Sequence, residues 1–209
     1  RLAADHSARG PAQSHIILLG DLVDRGPASC AVVERALGLA ATWDRVDWLM
    51  GNHEEVMLKA LGGDAKLVRY FVRIGGAPTI HSYGLSGAAY DAMSFDELAA
   101  AFPPLVPPAH RDFLSQSRDY LVLGDYLFVH AGVKPGAELA AQTPGDMRWI
   151  RDEFLHDERH HGKMVVHGHT ITDGVDVRPN RIGIDTGAYK SGILTAIGIE
   201  GGERWFVST

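Results

Sequence analysis

The sequence is poor in cysteine, in basic charge and in long apolar runs. One cysteine among 209 residues excludes an internal disulfide and a cluster of thiolate ligands. That scarcity suits a reducing compartment, and we expect a cytoplasmic location. Lys plus Arg number 20 against 26 Asp plus Glu, a net charge of −6, which argues against nonspecific nucleic-acid binding. Since no apolar run approaches the ~18 residues of a membrane-spanning helix, we expect no membrane partner either.

Apolar residues and histidine are plentiful by contrast. Hydrophobic residues make up 45% of the chain and charged residues 22%, and there are 11 histidines. This composition is that of an ordinary globular protein with enough apolar material for a full core. The length suits one domain, or at most two small ones, and we expect a single domain over residues 1–209.

Short β-rich runs alternate with helical patterns, which is typical of a layered α/β fold. Strands are predicted at 15–19, 46–50, 120–123, 126–130, 164–167, 181–184 and 193–199. Helices are predicted at 29–41, 54–61, 64–74, 94–102 and 109–116, with Ser29 and Ser94 as N-caps. Gly75-Gly76-Ala77-Pro78 predicts a turn. Because residues 75–116 hold helical patterns and no strand, we interpret them as a helical cap or insertion.

Four predicted strands run into residues that can bind a metal. These residues are Asp21, Asn52, His130 and His169. In open α/β sheets, ligands bind beyond the carboxyl ends of the strands, so we expect the four side chains to lie together. Any one of them alone would be an ordinary turn or core residue. Together they offer oxygen and imidazole ligands without thiolate, a set that suits Mn, Fe or Zn.

Five motifs follow one another along the chain. They are GDLVDRG at 20–26, GNHE at 51–54, HAG at 130–132, GHT at 168–170 and DTG at 185–187. In this order they resemble the calcineurin-like metallophosphoesterases, and most closely the short bacterial form of the Ser/Thr phosphoprotein phosphatase family. The resemblance extends from Gly20 to about Gly192. It implies an α/β fold, a layered α-β-β-α sandwich of mixed sheets.

The resemblance also implies a metal-dependent phosphoesterase. Phosphomonoesters would be hydrolysed by hydroxide that two divalent metal ions activate, with Mn favoured and Fe or Zn as alternatives. Asp21 would bridge the two ions. Asn52, His130 and His169 would complete the ligands of the second ion.

The remaining roles concern the phosphate and the proton. By the same resemblance, His53 would protonate the leaving oxygen and Asp24 would orient its imidazole. Arg25 and Arg151 would bind the phosphate in bidentate fashion, and Asn52 would also contact it. For Arg151 the alternative is an ordinary exposed arginine on a helix.

Two further residues are predicted to lie beside the ligands rather than among them. One is Asp185, for which a simple turn residue is the alternative. The other is His167, which is two residues before His169 and would point to the same face if both lay on one strand. The tract His156–His161 is predicted to be solvated surface.

The family carries one further motif, Gly-Asp-x-His-Gly, which these residues do not contain. Its Asp and His would ligate the first metal ion. A strand–helix–strand unit takes roughly 30 residues or more, whereas 20 precede Asp21. Leu2–Arg9 is therefore predicted to be the end of a crossover helix. Either the sequence is a fragment whose leading strand lies before Arg1, or that strand is genuinely missing. We favour the fragment, because the loss of a central strand would expose two unpaired edges.

The sequence leaves three alternatives open for the function, two of which differ in substrate. Phosphoserine or phosphothreonine in proteins is the class that the resemblance favours. The second alternative is hydrolysis of dinucleoside polyphosphates, such as diadenosine tetraphosphate, by a related branch. The third is a non-catalytic phosphate-binding relative. We expect substrate choice to reside in residues 75–110, where the fold gives no guidance.

Overall fold

The computed structural model describes residues 1–209, which divide into two compact units. The first unit comprises Arg1–Leu19, Trp43–Leu49 and Asp119–Thr209. The second comprises Gly20–Thr42 and Met50–Arg118. None of the helices has the length and apolar character needed to cross a membrane.

All of the strands belong to the first unit. They are β1 (His15–Leu18), β2 (Arg45–Trp48), β3 (Tyr120–Leu123), β4 (Tyr126–Val129), β5 (Met164–His167), β6 (Asp176–Val177), β7 (Arg181–Gly183), β8 (Thr195–Glu200) and β9 (Glu203–Ser208). A five-stranded mixed sheet has the order β3-β4-β5-β7-β6. The other strands form a parallel β1-β2 pair and an antiparallel β8-β9 pair.

The helices are distributed over both units. They are α1 (Leu2–Arg9), α2 (Ser29–Gly38), α3 (Asn52–Ala60), α4 (Ala65–Phe71), α5 (Ala77–Ser82), α6 (Ala88–Asp91), α7 (Phe95–Ala101), α8 (Pro108–Ser115), α9 (Pro144–Trp149), α10 (Asp152–Leu155) and α11 (Ala188–Ser191). The first unit contains α1 and α9–α11, and the second contains α2–α8. A π-helical turn, Val72–Gly76, precedes α5.

Alternation along the central strands sorts side chains to the two faces of the five-stranded sheet. Val165 packs on one face, against Phe154 of α10. Val166 packs on the other face, in a cluster that includes Ile17 of β1 and Ile197 of β8. Successive side chains of a strand point to opposite faces, so both faces of β5 are buried. This is why the strand sequence is almost wholly apolar.

A second helical layer of the first unit is formed by α1. The indole Nε1 of Trp205 in β9 donates a hydrogen bond to Asp5 of α1 at 2.8 Å, and the guanidinium of Arg9 lies 3.5 Å over the Trp205 ring. Helices therefore flank strands that pack face to face. The predicted α/β fold with mixed sheets is confirmed.

Most predicted elements are present, including the helix 2–9, the β3–β4 hairpin and the Ser94 capping box of α7. The expected N-cap Ser29 is wrong. It is the first residue of α2, where its Oγ lies 2.9 Å from Thr79 Oγ1 instead of capping the helix. The turn expected at 75–78 is a kink at Gly75, where the backbone leaves helical φ/ψ between two helices. It does not extend over the four predicted residues, because Pro78 falls in the first turn of α5, where its missing N–H is tolerated.

Candidate active site

The predicted site residues are distributed over both units. Those of the second unit are Asp21, Asp24, Arg25, Asn52 and His53, and those of the first are His130, Arg151, His167, His169 and Asp185.

The loop that follows β1 holds three non-glycine residues in the left-handed region. The φ angles are 56° at Asp21, 76° at Asp24 and 63° at Arg25. Such angles cost free energy for residues with a Cβ and persist where the surroundings enforce them. The sequence predicted functional roles for all three residues, and the backbone places all three in this uncommon conformation.

Glu54 supports the start of this loop. Its buried carboxylate accepts hydrogen bonds from the backbone N–H groups of Asp21 (2.8 Å), Leu22 (2.6 Å), Val23 (3.2 Å) and Gly51 (3.0 Å). Burial raises the pKa of Glu54 to about 7, with a further contribution from Asp21. The four N–H donors favour the carboxylate form. The sequence analysis gave this residue no role, although the GNHE motif contains it.

Gly51 explains how closely the two motifs approach one another. A Cβ built on Gly51 would lie 2.5 Å from both the backbone nitrogen and Oδ1 of Asp21. Only glycine leaves room for this contact. The next residue, Asn52, begins α3 and is buried.

His53 and Asp24 form a buried pair. His53 Nδ1 lies 2.6 Å from Asp24 Oδ2, and the two residues are 2% and 7% exposed. Burial alone would lower the pKa of His53, but the hydrogen bond with Asp24 and the charges of Asp21 and Asp24 outweigh it, and the pKa is raised. Because the Nδ1 proton is donated to Asp24, Nε2 is the ring nitrogen that remains for exchanging a proton with another group.

Thr79 lies on the other side of Asp24. Its hydroxyl donates to Asp24 Oδ1 at 2.7 Å, and the backbone N–H of Asp24 donates to Thr79 Oγ1 at 2.9 Å. Sequence analysis missed this residue. It lies 55 positions from Asp24, and no local pattern marks a helical threonine as a partner of a distant carboxylate.

Arg25 is fixed through its backbone. Its N–H donates to the carbonyl of Gly75 at 2.9 Å. Gly75 has φ 119°, and a Cβ built there would lie 2.8 Å from Arg25 Cγ. The glycine that interrupts the helical conformation is therefore the point where that segment contacts the predicted phosphate-binding arginine.

Two of the predicted metal ligands lie together in the first unit. A ring nitrogen of His130 and one of His169 are within 4.8 Å of one another. His130 Nδ1 lies 2.6 Å from the carbonyl oxygen of Leu19, so Nδ1 carries the proton and Nε2 is the nitrogen suited to bind a metal. His169 has φ 63°.

Arg151 is close to this histidine pair. Its guanidinium NH1 group donates to Thr170 Oγ1 at 3.2 Å and to the carbonyl of His169 at 3.4 Å. The residue is exposed and immediately precedes α10. Its part in phosphate binding stays a prediction.

His167 does not share a strand face with His169, and that expectation is wrong. Strand β5 ends at His167, and the positive φ of His169 ends the alternation. The His167 ring is buried, with Nε2 3.5 Å from NH1 of Arg181. Burial and the nearby Arg181 charge lower the pKa of His167 to about 4, so the ring is neutral. Its predicted place beside the metal ligands stays a prediction.

Asp185 makes the contact expected of a turn residue. Its Oδ1 accepts a hydrogen bond from the N–H of Gly187 at 2.9 Å, which is the geometry of an Asx turn. The carboxylate therefore has a local structural role, and the additional role beside the site stays a prediction.

The donor chemistry fits a divalent cation. The candidates comprise one carboxylate, one amide and two imidazoles, and the hydrogen bond to Leu19 gives His130 the tautomer that a ligand requires. No thiolate is among them. Such an oxygen and nitrogen set suits Mn, Fe or Zn.

Comparison with known proteins identifies the family to which the chain belongs. A family model described as calcineurin-like phosphoesterase matches residues 3–188, and the chain belongs to this family. No curated protein matches. One solved structure, described as "a putative diadenosine tetraphosphatase", is 22% identical with a TM-score of 0.62, over 100% of this chain and 87% of the other.

A second solved structure is a metallophosphoesterase from Sphaerobacter thermophilus. It is 18% identical, with a TM-score of 0.47, over 95% of this chain and 77% of the other. Membership of the family makes the chain a metal-dependent hydrolase of phosphate esters.

Proposed function

We propose that the chain hydrolyses phosphomonoesters whose leaving group is an alkoxide, with phosphoserine and phosphothreonine in proteins as the substrate class. One observation carries the proposal: the buried hydrogen bond of 2.6 Å between His53 and Asp24. An alkoxide is a poor leaving group and needs a proton as the ester bond breaks. A histidine with a raised pKa and its Nδ1 side held by a carboxylate can supply that proton from Nε2.

Asp21, Asn52, His130 and His169 would hold the metal, and manganese is the ion we favour. When bound, divalent ions supply charge neutralisation to the phosphoryl group and Lewis acidity to water. His130 is prepared for this role by its hydrogen bond to Leu19, which fixes the tautomer. Asp21 is held in its conformation by Glu54.

The arginines would bind and orient the phosphoryl group. A guanidinium matches two phosphate oxygens with two parallel N–H donors, which an ammonium does not. Arg25 is held through its backbone by Gly75, and Arg151 through its contact with Thr170. Both groups would bind the substrate without taking part in proton transfer.

The second candidate substrate is a dinucleoside polyphosphate. The solved structure described as a putative diadenosine tetraphosphatase favours it. The leaving group of such a substrate is a phosphate, which departs without the full proton that an alkoxide requires. The buried His53–Asp24 pair is therefore the feature that favours the phosphomonoester.

The experiment compares turnover of a phosphoserine peptide with turnover of diadenosine tetraphosphate, each in the presence of Mn²⁺. We expect a higher kcat/KM for the phosphopeptide. A large preference for the nucleotide would contradict the proposal and support the second candidate. Binding of phosphate with no turnover of either substrate would support a non-catalytic relative instead of an enzyme.

A further inference from the structure

A chain of hydrogen bonds extends behind the His53–Asp24 pair into helix α5. Thr79 Oγ1 is 2.7 Å from Asp24 Oδ1, and Ser29 Oγ is 2.9 Å from Thr79 Oγ1. All four side chains in this chain are buried, and Thr79 has no exposed surface. A buried hydroxyl that makes several hydrogen bonds at normal distances is held in one orientation.

The direction of each hydrogen bond follows from the donors available. Asp24 is a carboxylate with two oxygens, so Thr79 must donate to Oδ1 and His53 must donate to Oδ2. The proton of Thr79 is committed to Asp24, so Ser29 must donate to Thr79. Thr79 Oγ1 then accepts both from Ser29 and from the backbone N–H of Asp24.

Thr79 consequently contacts Asp24 at two points. It shares with Ser29 Oγ, at 3.1 Å, the backbone N–H of a residue with φ 76°. It alone holds the carboxylate oxygen that His53 does not use. Without that second contact the carboxylate could rotate, and the proton on His53 Nδ1 would lose a fixed acceptor. A histidine delivers its Nε2 proton efficiently only when the Nδ1 side is held.

We propose that Thr79 is a positioning residue for proton transfer by His53, acting through the carboxylate of Asp24. The inference rests on the proposed function of His53 as proton donor. It also gives helix α5 a part in the chemistry, although the sequence analysis placed its residues in a cap.

The decisive variant is Thr79→Val, which keeps the shape of the side chain and removes the hydroxyl. We expect kcat for a phosphoserine peptide to fall by about 10-fold to 100-fold, at or below the lower end of what general acid catalysis supplies, because His53 itself is retained. For 4-nitrophenyl phosphate, whose leaving group needs no proton, kcat should change little. KM should change little for either substrate, because the Thr79 hydroxyl bonds Asp24 and Ser29, neither of which is predicted to bind the phosphate.

Two companion variants separate positioning from folding. Thr79→Ser retains the hydroxyl and should restore turnover of the phosphopeptide. Ser82→Ala removes a hydroxyl that bonds the carbonyl of Thr79 and the N–H of Cys30, in the same helix. Because this hydroxyl bonds backbone groups and not the Asp24 carboxylate, Ser82→Ala should leave the ratio of kcat for the two substrates as in the parent.

A second readout does not depend on turnover. The Nδ1 proton of His53, in a hydrogen bond of 2.6 Å, should give a proton NMR signal downfield of the amide region that disappears in His53→Asn. We expect the signal in the parent, Thr79→Ser and Ser82→Ala, and its loss or upfield shift in Thr79→Val. A folded Thr79→Val protein that keeps the signal unchanged would overturn the inference.

The kinetic outcomes are equally distinct. Equal losses on the two substrates, or an unchanged kcat for the phosphopeptide in Thr79→Val, would overturn the positioning role. If His53→Asn lowers kcat equally for the phosphopeptide and for 4-nitrophenyl phosphate, the proposed function fails. If His53→Asn lowers kcat more for the phosphopeptide and Thr79→Val does not, only the present inference fails.

Discussion

The carboxylate of Glu54 accepts the backbone N–H of Asp21 at 2.8 Å, and Asp21 has φ 56°. The strained residue that is predicted to bind the metal is thus held by a buried acid from the neighbouring motif. We therefore expect metal binding to depend on that support as well as on the predicted ligands themselves.

Replacing this acid should destabilise the protein. Glu54→Gln puts an amide NH₂ among backbone N–H donors, where one oxygen can no longer accept. We expect a loss of about 1–3 kcal/mol in the free energy of unfolding, measured by urea denaturation. Glu55→Gln is the matched control, since Glu55 pairs with Lys59 within α3. Equal losses in the two variants would contradict the role of Glu54.

The contact between Gly75 and Arg25 can be tested with two alanine variants. Gly75→Ala and Gly84→Ala both place a Cβ at positive φ, 119° and 102°, but only the first meets Arg25, at 2.8 Å. Both should lose about 1 kcal/mol or more of stability from backbone strain. Only Gly75→Ala should also raise KM for a phosphate ester. A similar KM in both variants would argue against phosphate binding by Arg25.

Metal binding should depend on the His130–His169 pair and not on the histidine tract. We expect His130→Ala to weaken Mn²⁺ binding by at least about 10-fold, measured by isothermal titration calorimetry. His161→Ala is the control. His161 belongs to the tract predicted to be surface, and its ring packs 5.4 Å from the ring of Phe154. Chelation should lower the parent's melting temperature, because an ion at 100 times its Kd stabilises the folded state by about 2.7 kcal/mol. Equal affinity in both variants would remove His130 from the ligands.

A pH dependence of stability is expected from Asp176. Its carboxylate accepts from Arg181 NH1 and Arg178 Nε, each at 2.7 Å. Burial alone would raise the pKa of Asp176, but these hydrogen bonds lower it. Its stabilising effect is therefore complete above the ordinary carboxyl pKa of 3.8 and is lost as the pH falls through the lower, folded-state value.

Asp176→Asn should remove that effect. We expect a loss of about 1–3 kcal/mol at pH 7, below the value for fully buried pairs because Arg178 is mostly exposed. The variant should lose less stability than the parent when the pH falls from 5 toward 2. Asp173→Asn, at an exposed residue, is the control and should cost little stability at pH 7. Parallel profiles for the parent and Asp176→Asn would contradict this account.

Most helices and strands, and the motif residues, could be predicted from the sequence because their signals are local. The residues of GDLVDRG and GNHE are adjacent in the chain, and β4 and β5 are marked by unbroken apolar runs. Strands β6 and β9 were not predicted. The former has two residues, and the latter begins with Glu203 and Arg204, so that its apolar run is only three residues long.

The supporting contacts could not be predicted, because they join distant parts of the chain. Thr79 and Asp24 are 55 residues apart, and Glu54 and Asp21 are 33 apart. Ser29 lies at the start of α2, close to where an N-cap would be, but its hydroxyl contacts Thr79 instead of capping the helix. The left-handed backbone of His169 broke the expected strand alternation, and a single sequence gives no sign of such a conformation.

The most direct test of the account is the leaving-group dependence of kcat for His53→Asn, measured with Mn²⁺ over a series of phosphate monoesters from aryl to alkyl. The parent should show little dependence on the basicity of the leaving group. The kcat of the variant should fall steeply toward the alkyl esters, by about 10²-fold or more. The same slope in parent and variant would contradict proton donation by His53.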